Sequence, residues 1–187
     1  MKIEKIAEEL RGERIVLKHF FASDCYAKTV FHSMHANIEH VEPYLDWFSD
    51  CKNWEETYTW LKTDIDICWN NGTYAQYGVF LENEYIGYVW ISHFNHIDEN
   101  EFLPNKECAI GYWIDKDKIG KGYASEAIKT LETYCFTNGY NKIIITTDKE
   151  NLPSIKVAEK NNYKLVSRIK DDKTLIYSKL KSEREAF

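Results

Sequence analysis

A surplus of positive charge is missing from this chain. Lysine and arginine number 24 against 30 aspartates and glutamates, for a formal net charge of -6 and a pI near 5.6. The basic face that a nucleic-acid binder needs is not there, and no direct nucleic-acid binding is expected. Paired cysteine spacing is missing too. The five cysteines, at 25, 51, 68, 108 and 135, are odd in number and form no Cys-x-x-Cys unit, as expected of reduced cytosolic thiols. No apolar run approaches the roughly 20 residues that cross a bilayer, and residues 1–11 are too charged for a signal peptide. A cytoplasmic protein with no membrane contact is the expectation. What the chain does have is core material. Its 187 residues are 44% apolar and 15% aromatic, enough for a single domain spanning 1–187.

The chain is organised around residues 106–139. Ala109 to Ile114 is an apolar run too short for a helix and bounded by charge, which predicts a buried strand. A loop over 115–121 leads through Gly120-Lys121-Gly122-Tyr123-Ala124 into a segment whose apolar positions Ala124, Ala127, Ile128, Leu131, Tyr134 and Cys135 recur at steps of three and four. That spacing predicts an amphipathic helix with glycines at its entrance. Glycine lets the backbone turn sharply and approach a ligand closely, and the first N–H groups of a helix lack intrahelical partners and carry partial positive charge. Such an entrance is an anion cradle suited to a phosphate.

Three readings of this turn compete. A tight strand-to-helix turn that binds nothing is one, and Gly-x-Gly alone does not exclude it. A nucleoside triphosphate loop needs Ser or Thr after Gly-Lys to hold magnesium; Gly122 stands there, so that reading fails. A dinucleotide fingerprint would have to use Ser125 as its third small residue and Asp148 as its acid, late in the chain and behind several strand-like segments.

Strands and helices alternate on either side. Ile3, Ile6, Ala7 and Leu10 are spaced as a short N-terminal helix ending near Gly12, and Ile15 and Leu17 alternate with Val16 and Lys18 as a strand over 13–20. Ser23-Asp24 can cap a helix to about Asn37. Asn53 can cap another through Trp54, Tyr58, Leu61, Ile65 and Cys68 or Trp69, stopped by Asn70-Asn71-Gly72. Between them, residues 40–49 read as a loop around Pro43 whose aromatics Tyr44, Trp47 and Phe48 either plug the core edge or wall a substrate. Strands over 74–81 and 85–94 form a hairpin in which Gly87 marks a bulge or a close approach. His93 and His96, three apart at its far end, face opposite sides, so no shared metal is expected, although His93 could reach an amine as a base. Residues 95–106 read as a polar loop beside an acceptor pocket. After the central helix, Asn138-Gly139 is a stop, and 142–147 is a β-branched strand parallel to 109–114 with the helix as crossover. Residues 151–161 form a short helix with Pro153 in its first turn, 163–170 and 174–181 a closing hairpin, and 182–187 a frayed end.

The run AIGYWIDKDKIGKGYASEAIKTLETYCF, followed by ENLPSIKVAEKNNYKLV, resembles the acetyl-coenzyme A signature of the GNAT acetyltransferases, and among them the Rim-type ribosomal-protein N-terminal acetyltransferases. The resemblance is strong over about 103–180 and looser before it. The family's pyrophosphate loop, Gln/Arg-x-x-Gly-x-Gly/Ala, falls on Ile119-Gly120-Lys121-Gly122-Tyr123-Ala124, with Ile119 in place of Gln or Arg. That change removes one side-chain contact and leaves the backbone cradle. The resemblance implies an α/β fold (α+β in some schemes): a mixed, mostly antiparallel sheet with one central parallel pair of splayed strands, flanked by helices. The pantetheine arm would enter the gap like an added strand. It implies coenzyme contacts at Trp113, Ile114, Ile119, Gly120, Lys121, Gly122, Tyr123, Ala124, Asn151 and Ser154, an acceptor side around Tyr44, Trp47 and His93, and no metal.

Acetyl transfer to an amine needs a neutral amine, donors at the developing oxyanion and a proton for the departing thiolate. By resemblance the donors are backbone N–H groups near Tyr112 and Trp113, which places Tyr112 at the catalytic centre. The Tyr that many GNAT enzymes carry in the helix after the second strand is replaced by Ala158. The Rim-type Asn-x-x-Ser falls on Asn151 and Ser154, which assigns Asn151 to the coenzyme and the helix start and Ser154 to the proton relay, as a hydrogen bond to sulfur. The family's Glu is Ala109 here; Glu107, two residues earlier on the same strand face, is the candidate base acting through water. An alpha-amine, with a pKa near 8, needs less help than a lysine. The expected reaction is therefore transfer from acetyl-coenzyme A to a primary amine, a protein N-terminus first. A small amine such as a polyamine or an aminoglycoside-like compound is the alternative acceptor, and a non-catalytic acyl-coenzyme A sensor the alternative outside catalysis. A homodimer is compatible with any of these.

Overall fold

Strand alternation and helical spacing sort the chain into two helical layers on one sheet. The computed structural model describes residues 7–19, 22–65, 74–95, 98–102, 106–168 and 173–183. Ten strands are described: β1 (Glu9–Arg11), β2 (Ile15–His19), β3 (Tyr74–Leu81), β4 (Glu84–Ser92), β5 (Phe94–Asn95), β6 (Asp98–Phe102), β7 (Glu107–Ile114), β8 (Lys142–Asp148), β9 (Lys164–Arg168) and β10 (Thr174–Leu180). Eight of them form one sheet in the order β1-β2-β3-β4-β7-β8-β10-β9, and β5 pairs with β6 in a separate ribbon. Every neighbouring pair is antiparallel except β7 with β8. This is the mixed α/β architecture expected.

The described helices are α1 (Asp24–Val41), α2 (Trp54–Trp60), α3 (Tyr123–Thr137) and α4 (Leu152–Lys160). α3 turns Ala127, Ile128, Leu131 and Cys135 onto Leu17, Val79, Ile91 and Ile143, the stripe that its three- and four-residue spacing demands. The opposite face of the sheet is aromatic. There Ala27, Val30, Met34 and Val41 of α1 meet Phe48, Phe80, Tyr88, Trp90 and Trp113. Ser23 caps α1 by accepting from the Tyr26 N–H at 3.3 Å, and Asn53 caps α2 through the Glu56 N–H at 2.9 Å. Gly87, at φ +151, lies where a Cβ would fall 2.3 Å from the Trp113 carbonyl. It is a close approach of β4 to β7.

Several elements depart from the sequence pattern for identifiable reasons. Residues 1–6 lie outside the described residues, but Glu9–Arg11 pairs with β2 as a strand and does not end a helix. Leu10 between two charges fits either period, and the ladder to β2 decides. α1 runs past Asn37 to Val41 because Asn37 acts as a tertiary tie: its Nδ2 donates to Asp115 at 2.8 Å and its Oδ1 accepts from the Lys116 N–H at 2.8 Å. Residues 40–49 are the end of α1 and a 3-10 turn (Asp46–Ser49), not an open loop. α2 continues as a π-helical turn over Leu61–Ile65, and its expected stop at 70–72 lies outside the described residues. The polar segment 95–106 contains the β5–β6 hairpin; His96 lies outside the described residues. After β10, Lys181–Glu183 is a 3-10 turn in which Glu183 accepts from the Leu180 N–H at 3.0 Å, so 182–183 are tied down. The tip of the last hairpin and residues 184–187 lie outside the described residues.

Candidate active site

The parallel pair is joined only at its start. Glu107, Cys108 and Ala109 sit opposite Lys142, Ile143 and Ile144, and pairing stops there although β7 continues to Ile114 and β8 to Asp148. Along the gap each strand remains laddered on its outer side, β7 to β4 from Ala109 to Ile114 and β8 to β10, so the gap has two firm edges. The Asp115 N–H donates to the Ile86 carbonyl at 2.8 Å, toward β4. Strand alternation then sends the Trp113 N–H to β4 as well and aims those of Tyr112 and Ile114 into the gap.

The loop Ile119 to Ala124 closes one end of this gap. Gly120 and Gly122 hold φ of +73 and +87, a region that costs a side chain roughly 1–2 kcal/mol. Nothing lies within 4 Å of a Cβ built on Gly120, so the space in front of it is open. Gly122 is the N-cap of α3 and no side chain caps that helix, which leaves its first N–H groups facing the cleft. Arg14, far off in sequence, fastens the loop. Its Nη1 donates to the Lys121 carbonyl at 3.1 Å, its Nε pairs with Glu126 at 2.8 Å, and its guanidinium lies 4.7 Å over the Tyr123 ring. Burial pushes the Glu126 carboxyl up, but the Arg14 and Ile15 N–H groups and the Arg14 guanidinium outweigh it and hold the group below its ordinary value. Exposed Lys156 and Lys160 of α4 also line the cleft and have no ion-pair partner among the described residues.

At the inner end of the gap two hydroxyls meet. Tyr112 Oη lies 2.8 Å from Ser154 Oγ, and either can be the donor. Burial pushes the Tyr112 phenol up to about 12, with the Ser154 hydrogen bond acting the other way. Tyr112 is thus neutral and able to donate throughout the physiological range. Asn151 Oδ1 accepts from the Ser154 N–H at 3.1 Å and caps α4, fixing the serine.

Beyond lies an aromatic chamber on the α1 face. The Trp47 ring stands 5.9 Å from Trp60 and 6.0 Å from Trp90, with Tyr88 5.4 Å from Trp90. Trp90 lies flat across Gly111, where a Cβ would come within 2.0 Å of the indole. Tyr44, 42% exposed, stands at the rim with Glu42, Asp46 and Asp50. The whole cleft measures about 1890 Å³, above the few hundred to 1,000 Å³ of an ordinary small-ligand pocket, and so has room for a long coenzyme together with an acceptor.

Most residues expected at the site line this cleft: Tyr44, Trp47, Tyr112, Trp113, Ile114, Ile119, Gly120, Gly122, Tyr123, Ala124, Asn151 and Ser154. Three do not. Glu107 belongs to the closed part of the strand pair, ion-paired to Lys142 at 3.0 Å. Alternation carries His93 to the α3 face, opposite Trp90, where it is buried, stacks on Tyr140 at 5.5 Å and hydrogen-bonds its hydroxyl. The Lys121 side chain turns back to the Asp117 carbonyl at 3.0 Å. The Trp113 N–H is turned to β4 and not to the gap where the coenzyme was expected, and its ring is packed 5.0 Å from Phe48. Arg14, Gln76, Trp90, Lys156 and Lys160 were not legible as site residues, because only the tertiary fold brings them to the cleft. Among the described residues, no three His, Cys, Asp or Glu side chains converge as a metal site, and no helix is long and apolar enough to cross a membrane.

An open phosphate cradle leading through a split sheet to a chamber for a second reactant defines a group-transfer protein that works with a long anionic coenzyme. The pattern described as "Acetyltransferase (GNAT) domain" matches residues 14–164, and the chain belongs to the GNAT acetyltransferase family. It is similar to the uncharacterized N-acetyltransferase p20 of Bacillus licheniformis, 35% identical over 79 residues that cover only 42% of either chain. It also resembles the ribosomal-protein-serine acetyltransferase of Escherichia coli, 24% identical over 167 residues, 89% of this chain and 85% of that one. Among solved structures, RimL, a ribosomal L7/L12 alpha-N-protein acetyltransferase in complex with coenzyme A, superposes with a TM-score of 0.79 at 21% identity, covering 92% of this chain and 98% of the other. At that identity the likeness speaks for the fold.

Proposed function

We propose that the protein transfers acetyl from acetyl-coenzyme A to a primary amine, with the alpha-amine of a protein N-terminus as the preferred acceptor. The observation that carries the proposal is the continuity of the open cradle at Gly120, the unpaired edge at Tyr112 and Ile114, and the Tyr112–Ser154 hydroxyl pair along one cleft. When bound, acetyl-coenzyme A supplies the acetyl group as an activated thioester. The first N–H groups of α3, with Lys156 and Lys160, hold its diphosphate. The Tyr112 N–H is positioned as a donor to the thioester oxygen, where negative charge builds in the transition state. A hydroxyl of the Tyr112–Ser154 pair would donate a hydrogen bond to the departing sulfur, and the proton that the attacking nitrogen loses on forming the amide would pass through solvent to complete the thiol.

Two features favour an alpha-amine. Glu107 and His93, the candidate bases, stand away from the cleft, so the acceptor has to give its ammonium proton to water; an amine of pKa near 8 does so far more readily than a lysine near 10.4. The Escherichia coli relative is a ribosomal-protein-serine acetyltransferase, and RimL a ribosomal L7/L12 alpha-N-protein acetyltransferase. Calorimetry with acetyl-coenzyme A and a mass-spectrometric acceptor screen test the reading, using seryl-initiated peptides, internal-lysine peptides and spermidine. Coenzyme binding with acetylated seryl peptides is expected. Acetylation of spermidine alone would move the assignment to small amines, binding without any turnover would make the protein a sensor, and no coenzyme binding would end the reading.

A further inference from the structure

Gln76 of β3 is buried at 6% exposure, lines the cleft, and its Oε1 has no hydrogen-bond partner among the described residues. Buried carboxamide oxygens are ordinarily paired, and an apolar side chain would fill the same place among aromatic rings without that cost. Its position is specific. Gln76 is the cross-strand partner of Trp90, which is in turn the partner of Gly111, so the three occupy one row on the α1 face. That row lies just past Ala109 and Ile144, where the pairing of β7 with β8 ends. The terminal torsion of a glutamine is soft, so the carboxamide can turn its oxygen to a donor entering along the Trp90 face. Around it, Trp47 and Trp60 offer ring faces that attract cations, and Glu42, Asp46 and Asp50 place negative charge at the mouth.

We propose that Gln76 seats the acceptor amine: its Oε1 accepts an N–H from a cationic primary amine that has been drawn in past the acidic rim and lies against Trp90. This rests on the acetyltransferase reading above and adds the acceptor contact to it. The carboxamide holds one N–H and takes no proton. The proton that frees the lone pair goes to water, and the lone pair is left directed at the gap.

The test compares wild type with Gln76→Leu and Gln76→Glu, using a seryl-initiated peptide and spermidine as probes. Gln76→Leu should raise the acceptor KM about tenfold, the worth of one hydrogen bond to a charged group, with the acetyl-coenzyme A KM unchanged. Gln76→Glu, which keeps an acceptor oxygen, should retain an acceptor KM close to wild type. Tryptophan fluorescence of the coenzyme-loaded protein, titrated with the same probes, gives a readout independent of turnover and should show the same order. An acceptor KM indifferent to residue 76, or both KM values moving together, would overturn the role of Gln76 while leaving the acetyltransferase reading in place. A wild type that binds acetyl-coenzyme A but neither probe would overturn the amine contact outright, and absence of coenzyme binding would remove the reading beneath it.

Discussion

Tyr112 and Ser154 stand 42 positions apart in sequence with their hydroxyl oxygens 2.8 Å apart, one carried by a strand and the other by the first turn of a helix. Ala158 of the same helix is fully buried against the core and carries no hydroxyl, and the phenol reaches Ser154 from the opposite wall. Positioned proton donors are worth about 10²–10⁴ in rate. Tyr112→Phe is expected to lower kcat by about 10², and Ser154→Ala by about tenfold, each with acetyl-coenzyme A affinity largely unchanged. The double variant should be no worse than Tyr112→Phe alone, since the two act as one unit. A kcat that survives both changes would remove the pair from the mechanism. The same phenol links stability to pH. Burial holds its folded value near 12 above an ordinary value of about 10, so its contribution is whole below about pH 10 and disappears as the pH rises through about 12. Denaturant melts of wild type and Tyr112→Phe should converge over that window, the wild type losing on the order of 2 kcal/mol more.

Among elements, the entrance of α3 is where the proposed grip on the coenzyme would be decided. Its geometry needs glycine at 120 and 122 for positive φ, and needs Arg14 from the turn before β2 to tie the loop to Glu126. Gly122→Ala is expected to destabilise by roughly 1–2 kcal/mol and to weaken acetyl-coenzyme A binding measured by calorimetry. Gly120→Ala should weaken binding more than it lowers Tm, because its Cβ would project into the open space proposed for the diphosphate. Glu126→Gln leaves the Arg14 guanidinium without its carboxylate and should cost about 1–3 kcal/mol. With Glu126 held below its ordinary value, that stabilisation is present above the usual carboxylate range and is lost as the pH falls through the lowered folded value. The acid limb of a stability profile should therefore flatten in Glu126→Gln. The glycines and the helix were legible from spacing alone. Arg14 was not, because nothing in its neighbourhood distinguishes a loop-fastening arginine from any exposed one until β2 is laid beside α3. His93 illustrates the converse: its period-two position was readable, but which face of the sheet would carry the acceptor depended on where α1 packed.

For the molecule as a whole, charge is distributed against the net sign. The chain is acidic overall, yet Arg14, Lys156 and Lys160 gather at the cradle while Glu42, Asp46 and Asp50 gather at the other mouth. Exposed charges are screened within about 8–10 Å at ordinary ionic strength, so raising salt should increase the KM for acetyl-coenzyme A, and Lys156→Ala with Lys160→Ala should flatten that dependence. On the proposed reading, coenzyme A would bridge two half-sheets that pair directly only at Glu107 to Ala109. At a concentration of about 100 Kd it should add about 2.7 kcal/mol to the folded state, seen as a rise in Tm. An unchanged Tm at millimolar acetyl-coenzyme A would mean that the folded protein does not bind it.

The sequence by itself determined the strand–glycine–helix unit, the second parallel strand and the capped helix at Asn151, because hydrophobic period, positive-φ glycine and helix capping are all local properties of consecutive residues. Only the tertiary structure decided where β7 and β8 part, that Tyr112 meets Ser154, that Glu107 and His93 stand apart from the cleft, and that Gln76, Trp90 and Gly111 fall in one row. Those facts depend on register and on which face each helix covers, and both are set by contacts between residues far apart along the chain.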